Sequence, residues 1–141
     1  MAALFNSAVV SYQDHDYPRS LITSWAIIER IIDTMWESYI ADNRTRNVDG
    51  DEATFINSDR RTKLRGRDYT ASVRTEILSI VDSLPLPLYG RVENARKTRN
   101  GWMHELRDVS LDDAGDAITL AAELYERAFG IPLPSETSLT L

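Results

Sequence analysis

Helical periodicity of apolar residues runs through most of the 141-residue chain. It is clearest between positions 17 and 42, where apolar residues recur at alternating spacings of four and three. That stripe consists of Leu21, Trp25, Ile28, Ile32, Met35 and Tyr39, and a second set of Ile22, Ile27, Ile31 and Trp36 widens it. Such a broad apolar face predicts a long helix that is central to the fold or shared with a partner.

Shorter helices are predicted to follow this long helix. Residues 43–57 are polar and contain a DG turn signal, so they are predicted to form a loop. Ser58 is a candidate cap for a short basic helix at 59–66. Thr70 is a candidate cap for the next helix, which the LPLPL stretch at 84–88 ends.

Two longer helices are predicted in the second half of the chain. One covers residues 88–107, and the other starts at the capping-box pattern of Ser110 and Asp113 and stops at Gly130. A short helix is also expected at 3–13. No stretch alternates with the period of a strand, so the predicted fold is all-α, an antiparallel up-and-down bundle of four to five helices.

Length and composition are those of one globular domain, which we place at residues 1–130, with 131–141 as a C-terminal tail. The chain has no cysteine, which excludes disulfides, thiolate zinc ligands and a cysteine nucleophile. The N-terminal stretch has no signal-peptide features, and no stretch approaches the roughly 18 apolar residues of a membrane span. We therefore expect a cytoplasmic protein that does not enter a membrane.

Charge is unevenly distributed along the chain, whose net charge is −6. Residues 57–107 hold 11 Lys and Arg against 6 Asp and Glu, a net charge of +5, and the remainder carries −11. A polyanion such as RNA would meet one basic region on an acidic body. The alternative is a pair of oppositely charged, solvated helices, and the basic run at 60–67 is open to the same two interpretations.

The predicted helix at 88–107 breaks its own pattern at Arg99. Its apolar stripe consists of Leu88, Val92, Ala95, Trp102 and Leu106. Position 99 lies in the middle of that stripe, where a guanidinium is costly unless it is paired or lies in a cleft. Arg99 is therefore a candidate functional residue, or else a long side chain that reaches water or an acidic group such as Glu29.

Asn100 and His104 are four residues apart, so they lie one above the other on the helix. Asn100 is thus a candidate to hydrogen-bond one imidazole nitrogen, whereas a solvated surface role is the alternative for His104. Arg99 and His104 are about 140° apart on an ideal helix and do not point to one place. They meet only if Gly101 distorts the helix or if a second copy completes the site.

The stretch RNGWMH at 99–104 resembles the R-x(4–6)-H motif of HEPN domains (higher eukaryote and prokaryote nucleotide-binding). The lead-in LYGRVENARKT is similar to the motif helix of that family. Residues 17–36, with W-x-x-I-E at 25–29, are similar to its long early helix. The resemblance covers about residues 17 to 129. It implies a bundle of four or five helices, usually dimeric, in which two motifs face a shared cleft.

For active members, the resemblance implies metal-independent RNA cleavage. The ribose 2′-hydroxyl attacks the adjacent phosphate and leaves a 2′,3′-cyclic phosphate and a 5′-hydroxyl. Carried over, His104 is the general acid and base, Arg99 stabilises the phosphorane and Asn100 orients the histidine. The cations expected to bind the substrate are Arg96, Lys97 and Arg107. No metal or other cofactor is expected, since the two histidines are far apart and no H-E-x-x-H occurs.

HEPN proteins act in toxin–antitoxin, abortive-infection and other defence systems. The expected partners are therefore RNA, a second copy of the chain, and an antitoxin or another defence-system protein. Toxins paired with a minimal nucleotidyltransferase antitoxin often carry a tyrosine two residues after the histidine, but this chain has Leu106 there. Control by that route is doubtful for this chain.

Two non-catalytic alternatives remain. One is a HEPN-type dimeric module that binds RNA, a nucleotide or a protein partner. The other is a structural helical adaptor in which Arg99 is held in a salt bridge.

Overall fold

A computed structural model of the protein describes residues 1–134, which form six helices and one β-hairpin. The elements are α1 (Ala2–Gln13), α2 (Tyr17–Asp42), β1 (Thr45–Val48), β2 (Asp51–Thr54), α3 (Ser58–Leu64), α4 (Ala71–Ile80), α5 (Leu86–Glu105) and α6 (Leu111–Phe129). The predicted helical bundle is confirmed. Residues 1–134 contain six helices, where four to five were predicted, because α1 and α3 both form. None of these helices is both long enough and apolar enough to cross a membrane.

The central element is α2, which packs against α1, α4, α5 and α6. Its broad apolar face is buried as predicted, and Ile27, Ile28 and Ile31 have no exposed surface. Burying one such side chain contributes about 1.5–3 kcal/mol, so α2 organises the core. Met35 and Tyr39 are half-buried, and Ile22 is 36% exposed.

Several helix boundaries lie at the predicted capping residues. The Thr70 hydroxyl accepts a hydrogen bond from the backbone N–H of Val73 at 3.4 Å, and Ser110 and Asp113 form a reciprocal capping box. For α3 the predicted cap, Ser58, is wrong by one residue. The cap is Asn57, whose extended backbone lets its side-chain oxygen accept from the N–H of Arg60 at 2.9 Å.

The predicted loop at 43–57 contains a β-hairpin, which is a correction to the sequence-based prediction. Strands β1 and β2 pair antiparallel from Thr45 opposite Thr54 to Val48 opposite Asp51. Asp49 and Gly50 form the turn with positive φ angles of 52° and 91°, as a type I′ turn requires. Nearly every position of the two strands is exposed, so apolar and polar residues do not alternate along them. Hydrophobic periodicity therefore did not predict the strands.

The predicted C-terminal tail is described only in its first four residues. Leu133 is half-buried and packs against the main core, so this part of the tail is held to the bundle. Residues 135–141 lie outside the described residues.

Candidate functional site

The motif lies at the C-terminal end of α5, beside the start of α2. Leu88, Val92 and Ala95 bury the first half of α5 in the main core. Trp102 is half-buried against a smaller apolar cluster made by Leu21, Val109, Ala114 and Ala117. The two helices are therefore fixed to each other at the level of the motif.

The predicted apolar stripe ends one position early. Leu106 is 76% exposed because α5 ends at Glu105 and Leu106 has a left-handed backbone with φ of 54°. Its backbone N–H donates to the carbonyl of Trp102 at 3.1 Å and so closes the last turn. Met103 and His104, in the last turn of α5, are also exposed.

Arg99 is half-buried and has no carboxylate partner among residues 1–134. Its Nη1 donates to Oδ1 of Asn100 at 3.0 Å. Its Nε is buried and makes no hydrogen bond in this part of the chain. A buried donor without an acceptor costs about 1–3 kcal/mol. Glu29, the acidic residue considered as a partner, is exposed and forms no ion pair with Arg99.

Asn100 is held by Arg99 and not by His104. The imidazole of His104 is exposed in the last turn of α5, and it makes no hydrogen bond within the described chain. The helix continues without a break from Leu86 to Glu105, so Gly101 does not bend it. The angle of about 140° between Arg99 and His104 therefore persists, and one copy does not bring the two side chains together.

The three cations predicted to bind substrate differ in how they are paired. Arg96 donates two hydrogen bonds to Glu93, at 3.1 and 2.9 Å, and this pairing raises the pKa of Arg96. Arg107 forms an ion pair with Glu105. Lys97 is exposed and has no carboxylate partner in the described part of the chain, so it is the cation most available to a phosphate.

Sequence reasoning missed the contact between Gly101 and Arg107. A Cβ at Gly101 would lie 3.3 Å from Cδ of Arg107, closer than is comfortable, so glycine leaves room for this side chain. The backbone N–H of Arg107 donates to the carbonyl of Gly101 at 3.2 Å. Arg107 is thereby folded back over the last turn of α5. The glycine in the motif was the available signal, although the sequence alone indicated it only as a place where the helix could distort.

Residues 1–134 contain no group of three or more His, Asp or Glu side chains arranged to hold a metal ion. The chain matches no protein-family model, no curated protein and no solved structure. The resemblance to HEPN domains therefore rests on sequence alone, on the motif, its lead-in and residues 17–36.

Proposed function

We propose that this protein is a HEPN-type endoribonuclease that works as a homodimer and cleaves RNA without a metal ion. The observation that carries the proposal is Arg99, a half-buried guanidinium without a carboxylate partner in residues 1–134, five residues before an exposed histidine. A structural arginine in a core stripe is normally neutralised by an acidic group. A cation kept free of carboxylates is suited to an anionic ligand such as a phosphate.

The proposed chemistry assigns one role to each motif residue. An imidazole of His104 takes the proton of the ribose 2′-hydroxyl as its oxygen attacks phosphorus. Arg99 stabilises the negative charge of the phosphorane. The bond from phosphorus to the 5′-oxygen then breaks. The imidazole of His104, now protonated, gives a proton to that oxygen. The products are a 2′,3′-cyclic phosphate and a 5′-hydroxyl.

A second copy supplies what one helix does not. Because Arg99 and His104 are about 140° apart on an unbroken helix, a two-fold arrangement of two α5 helices lets Arg99 of one copy face His104 of the other. Lys97 and Arg107 then flank the shared cleft as substrate-binding cations. Asn100 has a different role from the one expected, since it positions Arg99 through its own hydrogen bond.

We place this activity in a cytoplasmic toxin–antitoxin or phage-defence system, with an antitoxin or another defence-system protein as its regulator. The support is the resemblance of RNGWMH to the motif of HEPN toxins. Regulation by modification of a tyrosine after the motif is not part of the proposal, because the corresponding position is Leu106.

The test is to incubate the purified protein with tRNA and mRNA in EDTA and to analyse the ends of the products. Wild-type protein should yield cyclic phosphate ends, and His104→Ala should lose at least a hundredfold in rate. The matched control is His15→Ala, because His15 is the other histidine of the chain, is also exposed, and forms its ring hydrogen bond with the hydroxyl of Tyr17. Equal cleavage by the two variants, or a requirement for metal, contradicts the mechanism.

A non-catalytic HEPN-type module is the second candidate, and one observation favours it. In a single copy, His104 has no orienting hydrogen bond within residues 1–134, since the Asn100 oxygen accepts from Arg99. Such a module would bind RNA, a nucleotide or a protein without cleaving it. It predicts an RNA gel shift that weakens at high salt and intact RNA after long incubation.

A further inference from the structure

A cavity of about 310 Å³ lies between α2, the segment that follows β2, α3 and α4, toward the end of α2 that is far from the motif. Trp36, one of its lining residues, is on α2 fifteen residues after Leu21, which belongs to the cluster beside the motif. At the rise of an α-helix the two places are roughly 22 Å apart along α2. The cavity is therefore separate from Arg99 and His104, and nothing in the proposed cleavage mechanism uses it.

Four aromatic side chains line this cavity. Both Tyr39 and Tyr69 stack on Trp36, with ring centroids 5.4 and 5.7 Å apart from it. Nε1 of Trp36 donates to the carbonyl of Leu64 at 2.8 Å, which fixes the indole beside α3. Phe55 is half-buried and completes the aromatic wall. Trp36 itself is only 1% exposed, so the ring surface that a ligand can meet belongs to the half-buried Tyr39, Tyr69 and Phe55. Aromatic surfaces of this kind suit a flat ring system.

The charged residues on this cavity are all cations. Arg60 and Lys63 line it together with the aromatic groups, and none of its lining residues in the described chain is Asp or Glu. Lys63 forms no ion pair within residues 1–134. Arg60 lies 5.1 Å from the Phe55 ring centroid, and the guanidinium of Arg46 covers the same ring at 3.5 Å. The cavity thus combines an apolar aromatic wall with a positive rim.

A neighbouring groove of about 720 Å³ shows that this charge pattern is not general to the surface. It carries both signs, since Asp42 lines it beside Arg46 and Arg127. Tyr39 lines both the groove and the cavity, so a ligand that fills the cavity can extend over Tyr39. A volume of 310 Å³ is at the lower limit for a small-molecule site and suits a single ring system with one attached group.

We infer that this cavity binds one nucleotide unit, with its base among the aromatic side chains and its phosphate at Lys63 and Arg60. The base meets ring surfaces that attract any nucleobase, and the phosphate meets two cations that have no competing carboxylate on the cavity wall. The unit is supplied either by a free nucleotide or by an unpaired position in an RNA strand. Binding does not require Arg99 or His104.

Indole NMR signals test the location, because the chain has three tryptophans in three places. Adenosine monophosphate and a 2′-O-methyl adenosine pentamer, which lacks the attacking hydroxyl, are titrated into the full-length protein. Binding in the cavity should move the Trp36 signal and leave Trp25, in the core, unchanged. Trp102, beside the motif, should stay unchanged with the mononucleotide, and with the pentamer it reports separately on binding at the proposed cleavage site. Saturation by the mononucleotide identifies a free nucleotide, and saturation by the pentamer alone identifies a strand.

Charge reversal on α3 tests the chemistry. Lys63→Glu should weaken nucleotide binding by about tenfold, since a charge-assisted hydrogen bond is replaced by repulsion. Arg61→Glu is the matched control, because it makes the same charge change on the same exposed helix but does not line the cavity. It should change the affinity less than twofold, since residues two apart on a helix do not face the same side and an exposed charge that makes no contact with the ligand contributes little. Equal losses in both variants, a shift of Trp102 without Trp36, or no binding at millimolar ligand overturns the inference.

Discussion

Replacing Arg99 with methionine tests whether Arg99 stabilises the fold or is kept for function at a cost in stability. Methionine keeps the long unbranched stem and the helix propensity, and it removes the guanidinium from an apolar stripe. Removing the buried, unpaired Nε recovers about 1–3 kcal/mol, whereas losing the hydrogen bond to Asn100 costs about 0.5–1.5 kcal/mol. We therefore expect Arg99→Met to stabilise the fold by about 1 kcal/mol and to abolish RNA cleavage.

The assay is urea and thermal unfolding followed by circular dichroism, at one fixed protein concentration because dimerisation alters apparent stability. A gain of 1 kcal/mol should raise Tm by about 3 °C in a domain of this size. Arg91→Met on the same helix is the control, since Arg91 has an exposed ion pair with Glu123 and its loss should cost about 0–1 kcal/mol. Destabilisation of Arg99→Met by 1 kcal/mol or more refutes the reasoning and makes Arg99 a structural residue.

Two further predictions concern stability away from the motif. Gly50→Ala should lower the free energy of unfolding in urea by about 1 kcal/mol, because φ at Gly50 is +91°. Gly90→Ala in α5 should raise it by about 0.5–1 kcal/mol, because a Cβ there meets no atom within 4 Å. If both substitutions change the stability in the same direction, the turn geometry is contradicted. Hydrogen bonding to Arg65 lowers the pKa of Glu37 from its ordinary 4.5, so this pair stabilises the fold above that pH and loses its effect as the pH falls through the lowered value. Glu37→Gln should therefore lower the free energy of unfolding by about 0.5 kcal/mol at pH 7, and by nothing at a pH where Glu37 is protonated in the folded protein. A stability difference that stays constant across pH contradicts this prediction.

The helices were predictable from sequence because their signals are local. The stripe of α2 and the capping box of Ser110 and Asp113 depend on residues within two or three turns of one another. The hairpin was not predictable from periodicity, because both of its faces are exposed and no core selects apolar positions. Its only local signal was the Asp49–Gly50 pair, which is typical of a type I′ turn.

The sequence identified the residues of the candidate site, but it did not predict how their side chains are paired. The position of Arg99 in an apolar stripe follows from spacing, whereas the lack of a carboxylate near it depends on which faces of other helices approach α5. Arg96 and Glu93 are three residues apart, so their ion pair could have been predicted from helix geometry. The cavity between α2, α3 and α4 is lined by residues far apart in the chain, from Trp36 to Ile77, and no local sequence pattern predicts such a site.

Mixing two inactive variants tests whether each proposed active site uses residues from both copies. If Arg99 of one copy acts with His104 of the other, a dimer of Arg99→Ala with His104→Ala retains one intact site and one doubly damaged site. Random exchange of equal amounts makes about half of the dimers mixed, so about one quarter of the wild-type rate should return. Each variant alone should remain inactive. If the two residues act within one copy, every site in the mixture lacks one of them, and the rate stays at the level of the separate variants.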